Sequence, residues 1–309
     1  MTVLLILAPG CGNNVRNSNV VSSEITVAVI PADTVTADHR SSMLEDVTAK
    51  SSTEFACSYE GIKHDYIMDF PAVIEGAPLI LMLPGYGSSA KGFRLDTAFH
   101  QEANARGYTV AYVSGAPTPE DSTSASGWNS GIGISAKNDV DFLCALANYL
   151  CKIYALDSTR VFAAGFSNGA FMTHRLALEA HDTFTAVVSV AGMMPESIWN
   201  ERPENCQIGV FQITGEKDNA IPKNSDGSAK FSKAPAIEDV IEYYVQANSL
   251  TLSDTETIEK NALLEKYTSL NSTKQVWNLT IPNGYHSWPS EKLTGIKTNE
   301  LILEFLDTQ

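Results

Sequence analysis

The chain has 309 residues, of which 44% are apolar and 18% charged, with a formal net charge of −15 at pH 7. These values describe a globular protein with enough side chains for a large core, and they exclude collagen-like, coiled-coil and wholly disordered chains. The acidic balance argues against nucleic acid and anionic membrane surfaces as partners, because both call for Lys and Arg in excess.

Residues 3–8 read Val-Leu-Leu-Ile-Leu-Ala, followed by Pro9-Gly10-Cys11. The run is far shorter than the roughly 18–20 apolar residues that span a bilayer, and no basic region precedes it. It resembles the tail of a bacterial lipoprotein signal, with Cys11 as the lipidated residue; Ala8 stands where such signals usually carry Leu. Residues 1–11 are therefore expected to be a signal remnant, and the protein to be secreted or lipid-anchored outside the cytoplasm. Residues 12–52 contain no aromatic residue and are rich in Ser, Thr, Asn, Val and Ala. Such a stretch buries too little to offset its ordering entropy, so it reads as a flexible tether, with a short strand near residues 25–30 as an option. A single folded domain is expected over 53–309.

Within that domain, residues 59–70, around Gly61, read as an antiparallel hairpin at a sheet edge. Leu79-Ile80-Leu81-Met82-Leu83 is an unbroken apolar run ending at Pro84-Gly85, the pattern of a strand buried on both faces. Similar runs cover residues 108–113, 161–164, 186–190, 208–214 and 276–281. Between them lie helical spacings: Val140, Leu143, Leu146, Ala147, Leu150 and Tyr154, then Ile237, Val240, Ile241 and Tyr244, and finally Leu301, Ile302, Phe305 and Leu306. Strand–helix alternation predicts a mostly parallel sheet with helices on both faces. The polar stretches 223–234 and 250–272 read as loops or insertions. Cys144 and Cys151 would share a helix face about 10 Å apart along the axis, too far to bridge. No pair has zinc-ligand spacing, so with Cys57 and Cys206 they are expected to be buried free thiols, a Cys57–Cys206 pair being the alternative.

Gly165-Phe166-Ser167-Asn168-Gly169 follows the strand at 161–164 and precedes a helical stretch at 170–180. G-x-S-x-G between a strand and a helix marks a sharp turn that lifts a serine hydroxyl above the sheet. The helix N-terminus behind it favours developing negative charge. Ser167 is thus the candidate nucleophile, and the Asn168 amide a candidate oxyanion donor. Its partners should follow in the order acid, then His. His286 sits just past the strand at 276–281, in a loop at a strand's C-terminal end, where such a site belongs. His181 closes the elbow helix and His174 lies within it, so both read as structural. Asp218, in the loop after the strand at 208–214, is the candidate acid, ahead of Glu216 and Asp226. Pro84-Gly85-Tyr86-Gly87-Ser88-Ser89 offers the second oxyanion donor, assigned to the Tyr86 amide. Gly131-Ile132-Gly133-Ile134-Ser135-Ala136 has the glycine spacing of a dinucleotide loop but no preceding strand, and Asn224-Ser225-Asp226-Gly227 lacks the remaining calcium ligands. Neither metal nor cofactor is expected.

Taken together, these motifs resemble the polyhydroxybutyrate depolymerase / feruloyl esterase family of α/β-hydrolases, which is similar to carbohydrate esterase family 1. The resemblance covers about residues 53–307. It rests on Leu83-Pro84-Gly85-Tyr86-Gly87, Trp128-Asn129, Asp139-Val140-Asp141-Phe142-Leu143, Leu156-Asp157-Ser158-Thr159-Arg160-Val161, the Ser167 and Asp218 segments, and His286-Ser287-Trp288-Pro289. The family usually carries His before the oxyanion Gly, where this chain has Pro84. The resemblance implies an α/β-hydrolase fold over 53–309, the triad Ser167, Asp218 and His286, and ester hydrolysis through an acyl-enzyme. Trp128 and Trp288 are candidate walls for an aromatic acyl group or a sugar ring, with core packing as the alternative. The expected substrate is an acylated plant polysaccharide releasing ferulate or acetate. Short-chain polyhydroxyalkanoate is the second choice, and a non-catalytic surface-binding protein on the same scaffold the third.

Overall fold

The computed structural model describes residues 44–117, 125–221 and 234–309. Three antiparallel strands come first: β1 (Glu45–Ala49), β2 (Glu54–Tyr59) and β3 (Ile62–Asp69). The β2–β3 link is the two-residue loop Glu60-Gly61, with φ of 49° and 76°. Two positive φ values match the right-handed twist of paired strands, and Gly61 adopts its own without strain.

The chain continues through β4 (Leu79–Leu83), α1 (Ala90–Thr97), α2 (Phe99–Ala105) and β5 (Thr109–Val113). A small pair, β6 (Ala116–Pro117) and β7 (Ser126–Gly127), precedes α3 (Asp139–Tyr154), β8 (Val161–Phe166), α4 (Asn168–Glu179) and β9 (Ala186–Val190). Then come α5 (Glu196–Asn200), β10 (Gly209–Gly215), α6 (Ile237–Ala247), β11 (Leu252–Thr257) and β12 (Leu263–Ser269). The last elements are β13 (Ser272–Ile281), α7 (Glu291–Thr294) and α8 (Thr298–Asp307).

Among the described residues one 11-stranded sheet runs in the order β1-β2-β3-β5-β4-β8-β9-β10-β13-β12-β11. From β5 to β13 neighbouring strands are parallel, and each end of the sheet is antiparallel. Period-two alternation divides the core. Leu79, Leu81 and Leu83 face a cluster with Leu143 of α3, Leu176 of α4 and Tyr244 of α6. Ile80 and Met82 face the opposite cluster, with Phe93 of α1, Phe99 of α2 and Phe305 of α8. This is the expected α/β-hydrolase arrangement of a mostly parallel sheet with helices on both faces. Among the described residues no helix is long and apolar enough to cross a membrane.

Three expectations change. The stretch 12–52 read as a tether contributes residues 45–49 to β1, which pairs with β2, so the hairpin at 59–70 is not the edge of the sheet. The 250–272 stretch, read as a loop or insertion, is a strand hairpin, with β11 paired to β12 along its whole length. Every β11 side chain is exposed. Without a buried face it carries no apolar alternation for a sequence to display, and its partner strand alone makes it a strand. The strand suggested near residues 25–30 and the lipidation site Cys11 lie outside the described residues, as does Asp226. Cys57, Cys151 and Cys206 are free thiols, and all three are buried, as is Cys144. Burial pushes the Cys57 and Cys206 thiols up to about 12 and the Cys151 thiol up to about 11, which makes them poor nucleophiles.

Candidate active site

Parallel strands end together, so the loops after β8, β10 and β13 emerge at one edge. Ser167 stands between β8 and α4 with φ 53° and ψ −116°, a strained conformation costing about 1–3 kcal/mol. Its N–H donates to the Val190 carbonyl at 3.0 Å. The two motif glycines are required sterically. A Cβ on Gly165 would overlap the Gly169 carbonyl, and one on Gly169 would overlap the Leu83 carbonyl.

The loops after β10 and β13 are bound to each other. Glu216 N–H donates to the Ile281 carbonyl at 3.0 Å, and Lys217 N–H to the Gly284 carbonyl at 2.9 Å. This clasp brings Asp218 and His286 together. Asp218 Oδ2 lies 2.8 Å from His286 Nδ1, and His286 Nε2 lies 3.0 Å from Ser167 Oγ. The second carboxylate oxygen, Oδ1, accepts from the N–H groups of Ala220 at 2.8 Å and Ile221 at 2.9 Å. A carboxylate only accepts, so Nδ1 carries the proton and Nε2 is left to accept from the serine hydroxyl. The Asp218 side chain is 1% exposed and the His286 side chain 28% exposed. The acid is thereby shielded while the imidazole reaches the cleft. Glu216 is exposed and contributes only its backbone to the clasp. His181 is exposed, and His174 is buried beneath the elbow, its Nε2 3.1 Å from Gln212 Oε1.

The two amides chosen as oxyanion donors lie beside Ser167. Gly85 packs so closely that an added Cβ would sit 3.3 Å from Ser167 Cβ. The next three residues form a β-turn in which Ser88 N–H donates to the Gly85 carbonyl at 3.1 Å and Gly87 takes φ 76°. Among the described residues no backbone hydrogen bond engages the Tyr86 or Asn168 N–H.

Trp128 and Trp288 are not walls of the cleft. The Trp128 side chain is fully buried and donates its indole N–H to the Pro84 carbonyl at 3.0 Å. Trp288 is buried edge-on against Phe93 and Phe99 and donates to Asn299 Oδ1 at 3.0 Å. An indole next to a catalytic loop reads equally well as lining or as support, and only depth separates the two. The exposed aromatics near the site are instead Tyr86 and Tyr285, 43% and 61% exposed. Each adjoins a site segment, Tyr86 following Gly85 and Tyr285 preceding His286.

Behind the site lies a buried polar group of Lys137, which no motif marks, with Asn129 and Asp139, which lie in motifs that carry the resemblance but signal no such role. Lys137 Nζ donates to the carbonyls of Ala116 at 2.9 Å and Gly127 at 2.8 Å and lies 3.7 Å from Asp139 Oδ2. Asn129 N–H donates to Asp139 Oδ2 at 2.6 Å, and Arg175 Nη1 to the Asn129 carbonyl at 2.6 Å. Burial raises the Asp139 carboxyl, opposed by Lys137 and the Asn129 amide. In sequence, Asp139 looks like an ordinary helix-start acid and Lys137 like a surface residue. Gly131, from the apparent dinucleotide loop, packs against Ser197 and Ile198 of α5. Among the described residues no group of three or more His, Cys, Asp or Glu side chains stands ready to hold a metal ion.

Residues 96–307 match the prolyl oligopeptidase family, a span that includes Ser167, Asp218 and His286. A putative esterase, NocK, from Nocardia uniformis subsp. tsuyamanensis is 30% identical over 241 residues, covering 71% of this chain and 67% of NocK. The bifunctional acetylxylan esterase/xylanase XynS20E of Neocallimastix patriciarum is 21% identical over 145 residues, 47% of this chain but only 20% of that protein. In structure, the acetyl xylan esterase from Aspergillus awamori superposes with a TM-score of 0.54 at 13% identity, covering 80% of this chain and 94% of that one. At such identity the likeness is one of fold. The chain is thus a hydrolase enzyme of the α/β-hydrolase fold, with esterase relatives, and it belongs to the prolyl oligopeptidase family.

Proposed function

We propose that the protein is a serine carboxylic ester hydrolase that works through an acyl-enzyme on Ser167. The observation that carries this reading is the continuous path from Asp218 through His286 to Ser167, at 2.8 Å and 3.0 Å. In this reading His286 Nε2 takes the hydroxyl proton as Ser167 Oγ attacks the ester carbonyl. Asp218 holds the imidazole tautomer and stabilises the imidazolium. The tetrahedral oxyanion is met by the Tyr86 and Asn168 amides. His286 then returns the proton to the leaving alkoxide, and water repeats the sequence to release the acid. General-base help contributes about 10²–10⁴-fold and an oxyanion donor about 10²–10³-fold. An intact proton path gives no support to a non-catalytic binding protein.

Within the ester class, acylated plant polysaccharide, with ferulate or acetate as the released acid, is the substrate we favour. Two exposed tyrosines beside the triad offer flat faces to a ring, and esterases that act on xylan stand among the similar proteins. The finer resemblance to polyhydroxybutyrate depolymerases and feruloyl esterases rests on the motifs, and hydroxybutyrate oligomers remain the second choice. The family match adds a peptidase reading, since the same triad cleaves amides. A side-by-side assay decides: methyl ferulate, acetylated xylan, a hydroxybutyrate oligomer and a prolyl peptide amide, each with wild type and Ser167→Ala. Turnover of the first two, lost in Ser167→Ala, is expected; turnover of the amide alone would overturn the esterase reading. We also propose an extracytoplasmic location with lipid on Cys11. Mass spectrometry of the mature protein should find an acylated Cys11 as the first residue, and an intact Met1 in soluble cytosol would refute it.

A further inference from the structure

We infer that Trp128 is a positioning residue for the oxyanion hole, the central member of a brace formed by Ser126, Gly127 and Trp128. This inference rests on the esterase reading and on the Tyr86 and Asn168 amides as its donors. Five hydrogen bonds join the brace to the two loops that carry those amides. On the Tyr86 side, the Trp128 indole N–H holds the Pro84 carbonyl at 3.0 Å, Gly87 N–H donates to the Ser126 carbonyl at 2.7 Å, and Ser126 Oγ donates to the Ser88 carbonyl at 2.7 Å. On the Asn168 side, Trp128 N–H donates to Asn168 Oδ1 at 2.7 Å and Asn168 Nδ2 donates to the Trp128 carbonyl at 3.4 Å. The Asn168 amide group is then completed by Ser130 Oγ at 2.8 Å.

The consequence for the Tyr86 donor is geometric. The Gly85–Tyr86 peptide is trans, so its N–H points opposite to its carbonyl. The carbonyl is turned to Ser88, which leaves the N–H facing away from the turn. Rotating this peptide is the cheapest way to lose the hole, because it turns about ψ of Gly85, which has no Cβ to resist it. The Trp128 bond to Pro84 and the Ser126 bonds to Gly87 and Ser88 clamp both ends of that peptide. The brace itself is fixed from behind by Lys137, whose buried ammonium binds the Gly127 carbonyl on one strand of the small pair and Ala116 on the other. Pro84, the departure from the family pattern, thus offers the clamp a carbonyl on a residue whose φ is already locked.

Trp128→Phe keeps the buried ring and deletes the indole donor. The experiment measures its kcat and KM on p-nitrophenyl acetate per active site, counted by phosphonate titration run to completion. Inhibition by phenylboronic acid, which forms a tetrahedral adduct on serine, is measured alongside. We expect kcat per titrated site to fall about 10–100-fold, KM to change less than about twofold, and phenylboronic acid to weaken with kcat. A merely structural role would lower the titrated fraction and leave each active site at its wild-type rate, which would overturn the inference. Should Trp128→Phe not accumulate folded, Ser126→Ala repeats the test on a partly exposed hydroxyl with the same two outcomes. Ser167→Ala runs in parallel. A wild type no faster than Ser167→Ala refutes the esterase reading and this inference with it, whereas equal rates for wild type and Trp128→Phe refute this inference alone.

Discussion

The backbone of Gly284 lies against that of Gly215, so close that a methyl group on Gly215 would overlap the Gly284 carbonyl. This contact is where the acid loop and the histidine loop meet, and the Lys217-to-Gly284 bond closes over it. Gly215→Ala must push the loops apart, and Asp218 moves with one while His286 moves with the other. A displacement near 1 Å costs about 10²-fold in rate. We expect kcat on p-nitrophenyl acetate to drop by that order while the melting temperature shifts only a few degrees. A Gly215→Ala enzyme at full rate would show that the clasp does not set the triad.

Asp218 and Glu216 are two residues apart, yet only Asp218 reaches His286. Asp218→Asn preserves shape but favours the tautomer with the proton on Nε2, which cannot accept from Ser167. The expected loss in kcat is about 10⁴-fold, with Glu216→Gln within twofold of wild type. The reverse ranking in steady-state assays would transfer the acid role to Glu216.

Tyr285 is the most exposed aromatic beside the site, and the Lys217 ammonium lies 5.8 Å from its ring centroid. If its face receives a ring from the substrate, the contact is worth about 0.5–1.5 kcal/mol. Tyr285→Ala should therefore raise KM for methyl ferulate about 2–10-fold and leave p-nitrophenyl acetate nearly unchanged. Equal effects on both esters would remove Tyr285 from substrate recognition.

His174 is fully buried, and burial pushes its imidazole down from 6.5 to about 4 against the opposing effect of a hydrogen bond accepted by Gln212 Oε1. Tyr244, whose hydroxyl lies 3.4 Å from Nδ1, and Gln212 are the polar groups that face it. His64, stacked on Phe142, is likewise lowered to about 4, chiefly by burial. Below pH 6.5 the unfolded chain binds these protons and the folded chain does not, so stability is full above that value and falls as pH drops toward 4. Each group accounts for at most ~3 kcal/mol. Urea unfolding at stepped pH should show this decline, and His174→Gln should make it shallower by about one proton. An unchanged slope in that variant would place the acid sensitivity elsewhere.

The parallel core strands are legible in the residues alone, because strands buried on both faces must be apolar without interruption. Leu79–Leu83 and Ala186–Val190 appear in the structure with the bounds their residues imply. The nucleophile turn is legible in the same way, since Gly165 and Gly169 meet backbone carbonyls at distances no side chain tolerates, and a glycine at such a point is a visible mark. The features that no local pattern encodes depend on depth and on partners. Trp128 and Trp288 became supports because packing buried them. β11 became a strand because β12 lay alongside, and β1 because β2 did. Lys137 and Asp139 are charged residues of the kind usually exposed; only the fold, by surrounding them with each other and with the carbonyls and amide of neighbouring loops, made them the anchor behind the site.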